Sequence, residues 1–197
     1  GDGRIKALYF PNRRLPVRAD LFNFVSWQLQ TRAGVKVFAW MPVLSFDLDS
    51  SLPRVQRRDR QTGKLREATE PYIRLSPWDP QVRQQVTDIY EDLARYSTFN
   101  GILFHDDAVL TDVDDAGQDA AQDTTRQKSR LLMGFTRALG QAVKHIRGPQ
   151  IKTARNMFVL PILEPESEAW FAQNFDDFLA AYDWTVPMAM PLMESVP

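Results

Sequence analysis

Short apolar runs alternate along the chain with longer segments in which apolar residues recur every three or four positions. The short runs predict buried strands, and the periodic segments predict helices with one apolar face. The predicted strands cover 5–10, 35–43, 101–108, 151–160 and 183–191, and the predicted helices cover 18–33, 76–97, 128–146 and 166–182. This alternation predicts an α/β fold with a parallel sheet that is covered on both faces.

Local signals mark where some of these elements begin and end. Ser76 and Pro77 predict the N-cap and the first residue of the second helix, and Gly148 ends the third helix. The segments 44–75 and 108–127 each follow a predicted strand and show neither periodicity. We therefore expect two long loops there, and loops of this length in a compact domain are usually functional or disordered.

Polar side chains cluster where the predicted strands end. The segment GILFHDDA is apolar as far as Phe104 and continues with His105, Asp106 and Asp107. Parallel α/β folds place their ligand sites at the carboxyl ends of the strands. We therefore expect a site at this edge of the sheet, to which other strand ends contribute Asp47, Asp49, Arg155, Asn156 and Glu164.

The adjacent carboxylates of Asp106 and Asp107 are the first candidates for chemistry. Two carboxylates can divide acid and base roles, as glycoside hydrolysis requires. Successive strand residues point to opposite faces, so one of the two is expected to work with a carboxylate from another strand end. The candidate partners are Asp47, Asp49, Glu164 and Glu194. A helix N-cap is the structural alternative for either aspartate.

His105 and several aromatic residues are candidates for ligand contact. The imidazole could serve as an acid or base, bind a hydroxyl group or hold a metal, or it could be a hydrogen-bonded core residue. Trp40, Tyr72, Trp78 and Trp184 lie near predicted strand or helix ends, where aromatic rings suit the apolar face of a sugar. Core packing is the alternative for each ring, and Tyr72 and Trp184 are the preferred candidates.

Composition narrows the possible functions. The chain has 197 residues, enough for one domain, and its formal net charge of −1 gives no indication of a nucleic-acid partner. It has no cysteine and only two histidines, so neither a Cys-ligated nor a His-rich metal site is expected. We find no apolar run long enough to span a bilayer and no signal peptide at the start. We expect position 1 to be a fragment boundary.

Six stretches together resemble one known family, the C-terminal glycoside hydrolase domain of the PgaB proteins. PgaB proteins are bacterial poly-β-1,6-N-acetyl-D-glucosamine (PNAG) N-deacetylases. The stretches run from near residue 1 to near residue 193 and read KALYFPNRRLPVRADLFN, TRAGVKVFAWMPVLSFDLD, NGILFHDDA, IRGPQIKTARNMF, PESEAWFAQN and YDWTVPMAMP.

The resemblance implies a (β/α)8 TIM-barrel-type glycoside hydrolase fold. Such a barrel typically needs about 250 residues, and the sequence predicts about five strands, so the barrel is expected to be incomplete. Residues 1–197 would be one domain, part of a C-terminal barrel, without the N-terminal deacetylase domain. The resemblance implies endo-cleavage of partially deacetylated PNAG near glucosamine residues. It also implies a location on the periplasmic side of the outer membrane, with the deacetylase domain and the exopolysaccharide export machinery as partners.

The family's acidic motif matches Asp106 and Asp107, which are the expected catalytic residues. The expected substrate-binding residues are His105, Tyr72, Trp184, Asn156, Asp47, Glu164 and Trp40, and no cofactor or metal is expected. Two other functions remain open at this stage. The chain could be a carbohydrate-binding module that holds the polymer without cleaving it, or a metal-dependent hydrolytic or phosphoryl-transfer enzyme that uses both aspartates as ligands.

Overall fold

Strands and helices alternate through the computed structural model, which describes residues 3–117 and 123–189. In chain order they are α1 (Leu21–Arg32), β1 (Phe38–Met41), β2 (Gln56–Arg58), β3 (Leu65–Glu67), α2 (Pro80–Tyr96), β4 (Gly101–Phe104), β5 (Asp114–Asp115), α3 (Thr125–Arg147), β6 (Lys152–Phe158), α4 (Leu160–Leu163), a 3-10 helix (Pro165–Ala169), α5 (Phe175–Ala181) and β7 (Trp184–Met188).

The central sheet consists of four parallel strands in the order β1-β4-β6-β7. The helices α2 and α3 pack against each other and cover one face of this sheet, where Tyr90 stacks on Phe104 with 6.0 Å between ring centroids. The predicted α/β fold with a parallel sheet is therefore confirmed. Within residues 3–117 and 123–189 the sheet does not close into a barrel.

The longer helices form where the sequence provides caps and an apolar stripe. In α2 the side chain of Asp79 accepts a hydrogen bond from the backbone of Val82, so Asp79 is the N-cap and the prediction of Ser76 is wrong. The helix α3 begins with a capping box between Thr124 and Gln127 and ends at Gly148. None of the described helices is long and apolar enough to cross a membrane.

The other face of the central sheet is curved and carries aromatic side chains. We call it the concave face, and it includes Phe38, Trp40, Leu103, Ala154 and Trp184. The ring of Phe38 crosses directly over Gly101 and meets the ring of Trp184 with 5.5 Å between centroids, although β1 and β7 are opposite edge strands. Phe38, Leu103, Ala154 and Trp184 line a cavity of about 340 Å³ together with Lys36 and Val186.

Four predicted segments differ from the structure. Residues 5–10 form no strand and make only isolated bridges, from Ile5 to Phe46 and from Leu8 to Val17. The predicted loops 44–75 and 108–127 contain β2, β3 and β5, which form a second, antiparallel sheet.

The predicted helix 166–182 is interrupted between the 3-10 helix and α5. Residues 170–174 instead run along the segment that follows β4, where the backbone N–H of Ala172 donates to the carbonyl of Leu110. Hydrogen bonding between these two segments outweighs the helical periodicity at this point.

Candidate active site

The segment HDD forms a turn at the carboxyl end of β4. The strand ends at Phe104, and the backbone N–H of His105 donates to the carbonyl of Met41 at 2.9 Å, which extends the pairing with β1 by one residue. Asp106 and Asp107 lie in the turn that follows. Strand alternation therefore applies to His105 but not to the two aspartates, which the turn can orient independently.

Asp107 is completely buried beneath the turn. Its carboxylate accepts hydrogen bonds from the backbone N–H groups of Val43, Leu44 and Ser45, with distances of 2.7–3.0 Å. These amides belong to the segment that directly follows β1. Asp107 thus ties the ends of two neighbouring strands together, and it is not exposed to a ligand.

Asp106 is mostly buried, with 11% of its side chain exposed, and contacts two candidate residues. The Tyr72 hydroxyl donates to Oδ2 of Asp106 at 2.6 Å, and Nδ1 of His105 lies 3.1 Å from Oδ1. Burial, the hydrogen bond to Asp106 and the charges of both aspartates raise the pKa of Tyr72 far above its ordinary value. Tyr72 therefore keeps its proton and acts as a donor.

The imidazole of His105 lies between two aromatic rings. Its centroid is 4.9 Å from that of Trp40 and 5.5 Å from that of Tyr72. Burial disfavours the imidazolium, but the hydrogen bond to Asp107 and the charges of Asp107 and Asp106 outweigh this effect, so the pKa of His105 is raised. Unprotonated Nδ1 accepts from the backbone N–H of Asp107 at 3.1 Å, and protonated Nδ1 faces the carboxylate of Asp106.

Asn156 extends the cluster onto β6. Phe104 pairs with Arg155 in the sheet, so Asn156 lies beside His105 and shares the concave face with Ala154. The side chain is almost completely buried, and its amide has no hydrogen-bond partner among residues 3–117 and 123–189. Asn156 is not among the residues whose side-chain polar atoms are both fully buried and unpartnered, so its amide reaches the concave face and is available to a ligand.

We call Trp40, Tyr72, His105, Asp106 and Asn156 the strand-end cluster. Trp40 is its most exposed member, at 59%. All five were predicted from the sequence as site residues, and the structure brings them to one edge of the central sheet.

Asp107, which was also predicted as a site residue, contacts His105 through its backbone N–H and its carboxylate. The remaining predicted site residues have no hydrogen bond, ion pair or ring contact with the strand-end cluster within the described ranges. Asp47 forms an ion pair with Arg4 at 2.6 Å. Glu164 is exposed between α4 and the 3-10 helix. Trp184 begins β7 at the opposite edge of the sheet from Trp40 and packs against Phe38.

Two alternative carboxylate partners are also separate from the cluster. Asp49 is exposed, and its carboxylate accepts from the backbone N–H of Ser51 in a local turn. Glu194 lies outside the described residues. In the described part of the chain, no group of three or more His, Cys, Asp or Glu side chains is arranged to hold a metal ion.

Two buried arginines support the site, and sequence reasoning did not predict their roles. Arg74 is completely buried, forms an ion pair with Asp114 and donates to the carbonyls of Tyr72 and Val109. Arg155 was grouped with Asn156 as a strand-end residue, but its side chain points towards α3 and α5. A charged residue within an apolar segment was the only sequence signal for either role.

Three comparisons with known proteins agree with this fold. The family model for hypothetical glycosyl hydrolase family 13 (GHL13) matches residues 1–127 and 119–197. The PNAG N-deacetylases of two Escherichia coli strains are 51% identical over 218 residues, which cover all of this chain and 32% of each relative. The solved PgaB (BpsB) glycoside hydrolase domain from Bordetella bronchiseptica is 41% identical, with a TM-score of 0.87, over the whole of this chain and 63% of that one.

The chain thus spans about a third of the curated relatives' length and less than two thirds of the solved domain. The similarity to PgaB predicted from the sequence is confirmed, and so is the glycoside hydrolase fold class. Both matching segments of the family model together extend from the first residue to the last. The chain belongs to hypothetical glycosyl hydrolase family 13 and has the fold of the PgaB glycoside hydrolase domain.

Proposed function

We propose that this chain is a glycoside hydrolase module that binds and cleaves partially deacetylated PNAG. The observation that carries the proposal is the contact of Tyr72 and His105 with the carboxylate of Asp106 at the carboxyl edge of a parallel sheet. Catalytic residues of barrel enzymes occupy this edge. The relatives named as PNAG N-deacetylases and as a glycoside hydrolase domain support the substrate class and the reaction class, respectively.

Asp106 is the proposed general acid. Because the Tyr72 hydroxyl donates to Oδ2, a proton on this carboxyl group would reside on Oδ1, next to Nδ1 of His105. In the reaction this proton passes to the glycosidic oxygen as the bond from that oxygen to the anomeric carbon breaks. Asp107 supports the turn instead, because its carboxylate is already occupied by three backbone amides.

The substrate's own acetamido group is the proposed nucleophile. In the described residues the only second carboxylate in contact with the strand-end cluster is that of Asp107, which is buried and bound by backbone amides. The carboxylate of Asp47 is paired with Arg4. The acetamido oxygen would attack the anomeric carbon and form a cyclic oxazolinium ion while the leaving oxygen takes the proton of Asp106. Water would then open the ring and return a proton to Asp106, a route that some glycosidases use.

Substrate recognition would combine aromatic and acidic contacts. The exposed face of Trp40 offers a stacking surface for a sugar ring, and the amide of Asn156 and the imidazole of His105 can bind hydroxyl or acetamido groups. Carboxylates near the concave face would attract the ammonium groups of glucosamine units. We place Asp47, Glu164 and Trp184 at more distant positions along the polymer.

The setting is proposed from the resemblance to PgaB. The chain would work beside a deacetylase domain of the same protein, on the periplasmic side of the outer membrane. There it would process exopolysaccharide together with the export machinery. The deacetylase would generate the glucosamine units whose ammonium groups these carboxylates attract.

The test is a comparison of three polymers under identical conditions: partially deacetylated PNAG, fully acetylated PNAG and a β-1,4-linked chitosan of similar glucosamine content. Products are read by mass spectrometry. The proposal predicts new oligosaccharides from the partially deacetylated PNAG alone. Binding of that polymer without any shortening would favour a non-catalytic binding module and contradict the hydrolase.

A further inference from the structure

Arg155 is a buried guanidinium without an anionic partner in the described part of the chain. It is only 1% exposed, and no carboxylate of residues 3–117 or 123–189 lies within ion-pair distance of it. Its guanidinium carbon lies 4.7 Å from the ring centroid of Phe178 and 5.6 Å from that of Tyr182. Burying a charge without an opposite charge is costly, so the contacts that retain it are informative.

The hydrogen bonds of Arg155 connect the helices to the active-site turn. Nη1 donates to the hydroxyls of Tyr182 at 2.8 Å and of Thr136 at 3.1 Å. Nη2 donates to the backbone carbonyl of Ala108 at 2.7 Å. Ala108 directly follows Asp107, so the guanidinium holds the turn from its helix side.

The same turn is held from β1 by Asp107. Its carboxylate accepts from the amides of Val43, Leu44 and Ser45, while the next carbonyl along the chain accepts from Arg155. His105 and Asp106 immediately precede Asp107 and Ala108, which are held from both sides. The position of Asp107 and Ala108 therefore determines where the side chains of His105 and Asp106 lie.

The two buried charges also act on one common neighbour, Tyr90. Burial raises the pKa of Tyr90 most strongly, the charge of Asp107 raises it further, and the charge of Arg155 lowers it. Asp107 and Arg155 are thus close enough for their opposite charges to offset each other partly across Tyr90. Asp107 is bound by the backbone amides of residues 43–45, and Arg155 is bound to the backbone carbonyl of Ala108.

We propose that Arg155 is a positioning residue, which holds the turn 105–108 so that Asp106 and His105 keep their mutual geometry. It touches neither the substrate nor the reacting atoms. The expected effect of Arg155 on the cleavage rate rests on the proposed hydrolase function. The expected effect of Arg155 on the geometry of His105 does not. The two can therefore be tested separately.

The test compares Arg155→Met, Arg155→Lys and Tyr182→Phe in the 197-residue chain. Arg155→Met removes the charge and all donors, and Arg155→Lys keeps the charge without the planar fork. Tyr182→Phe is the matched control, because it removes one acceptor of Arg155 and leaves the bond to Ala108. Circular dichroism and thermal unfolding verify that each variant folds.

The first readout is the NMR titration of the imidazole protons. The chain has only two histidines, and the exposed His145 on α3 is an internal reference. Since Asp107 and Asp106 raise the pKa of His105, this pKa reports how closely the two carboxylates are held. The proposal predicts that the pKa of His105 falls towards its ordinary value in Arg155→Met and falls less in Arg155→Lys. In Tyr182→Phe the pKa of His105 should be unchanged.

The second readout is cleavage of partially deacetylated PNAG. We expect kcat to fall about tenfold or more in Arg155→Met with KM within about twofold, and Arg155→Lys to recover part of the loss. An unchanged His105 titration in the folded Arg155 variants would overturn the proposal, and so would failure of Arg155→Lys to fold. If the titration shifts but no protein cleaves the polymer, the positioning role stands and the hydrolase function fails.

Discussion

Replacing Tyr72 by phenylalanine removes a single hydroxyl from the strand-end cluster. That hydroxyl donates to Oδ2 of Asp106 at 2.6 Å, while the ring packs edge-on against His105. Tyr72→Phe keeps the ring and deletes only the donor. It therefore isolates the contribution of this hydrogen bond to the reactivity of Asp106.

The structure sets the expected size of the effect. A hydrogen bond to a charged acceptor contributes about 1.5–3 kcal/mol. The side chain of Asp106 is 11% exposed, so water can replace part of the lost donor, and the lower end of the range applies. A change of about 1.4 kcal/mol corresponds to a factor of ten, so kcat should fall about tenfold. KM should change little, because the ring contact is retained.

The assay follows the appearance of new reducing ends from partially deacetylated PNAG, with mass spectrometry to identify the products. Tyr96→Phe is the matched control, since Tyr96 is an exposed tyrosine at the end of α2. It should behave as the unmodified chain. If Tyr72→Phe kept more than half of the original kcat, the hydroxyl would not assist Asp106, and the reasoning would be refuted.

Three further substitutions test other parts of the account. Because the pKa of His105 is raised, its stabilising effect is fully present below its unfolded-state pKa and is lost as the pH rises through the folded-state value. His105→Asn should therefore lower the free energy of unfolding in urea more at about pH 5.5 than at about pH 8.5, and an equal loss at both would contradict this. Asp107→Asn should cost about 3 kcal/mol or more in the same assay, because an amide nitrogen would face backbone donors, and a loss under about 1 kcal/mol would disagree. In Gly101→Ala the new Cβ would lie within 2.7 Å of three ring atoms of Phe38, so we expect a loss of about 1–3 kcal/mol in thermal unfolding, partly recovered by adding Phe38→Leu.

The central sheet was predictable because its two central strands, β4 and β6, are largely buried. In the segment 101–108 the apolar run ends at Phe104, where the strand ends and polar residues begin. The same transition identified His105 and Asp106. Periodicity similarly predicted α2 and α3, whose apolar stripes face the sheet.

Pairing between distant segments limited the rest of the prediction. The break between the 3-10 helix and α5 depends on hydrogen bonds from residues 170–174 to the segment after β4, which no local pattern reveals. The different neighbours of Trp40 and Trp184 also depend on the folded sheet, because the two residues occupy one register row on opposite edge strands. The ring of Trp40 lies tilted against His105, whereas Trp184 packs against Phe38, although both lie on the concave face.

The roles of the two adjacent aspartates could not be predicted from the sequence either. A turn begins after Phe104, so alternation cannot say which carboxylate faces outward. The backbone amides of residues 43–45 bind Asp107, which is completely buried, and leave Asp106 slightly exposed. Those amides belong to a segment more than sixty positions earlier, which is why only the folded structure separates the two residues.

The most direct test of the central claim is a digest of partially deacetylated PNAG by Asp106→Asn and by the unmodified chain, with polymer binding measured for both. Asparagine keeps the shape of the side chain but has no proton to give to the glycosidic oxygen. The account predicts that the unmodified chain releases oligosaccharides, and that Asp106→Asn binds the polymer within about threefold but forms product at least about a hundredfold more slowly. Undiminished cleavage by Asp106→Asn would contradict Asp106 as the general acid.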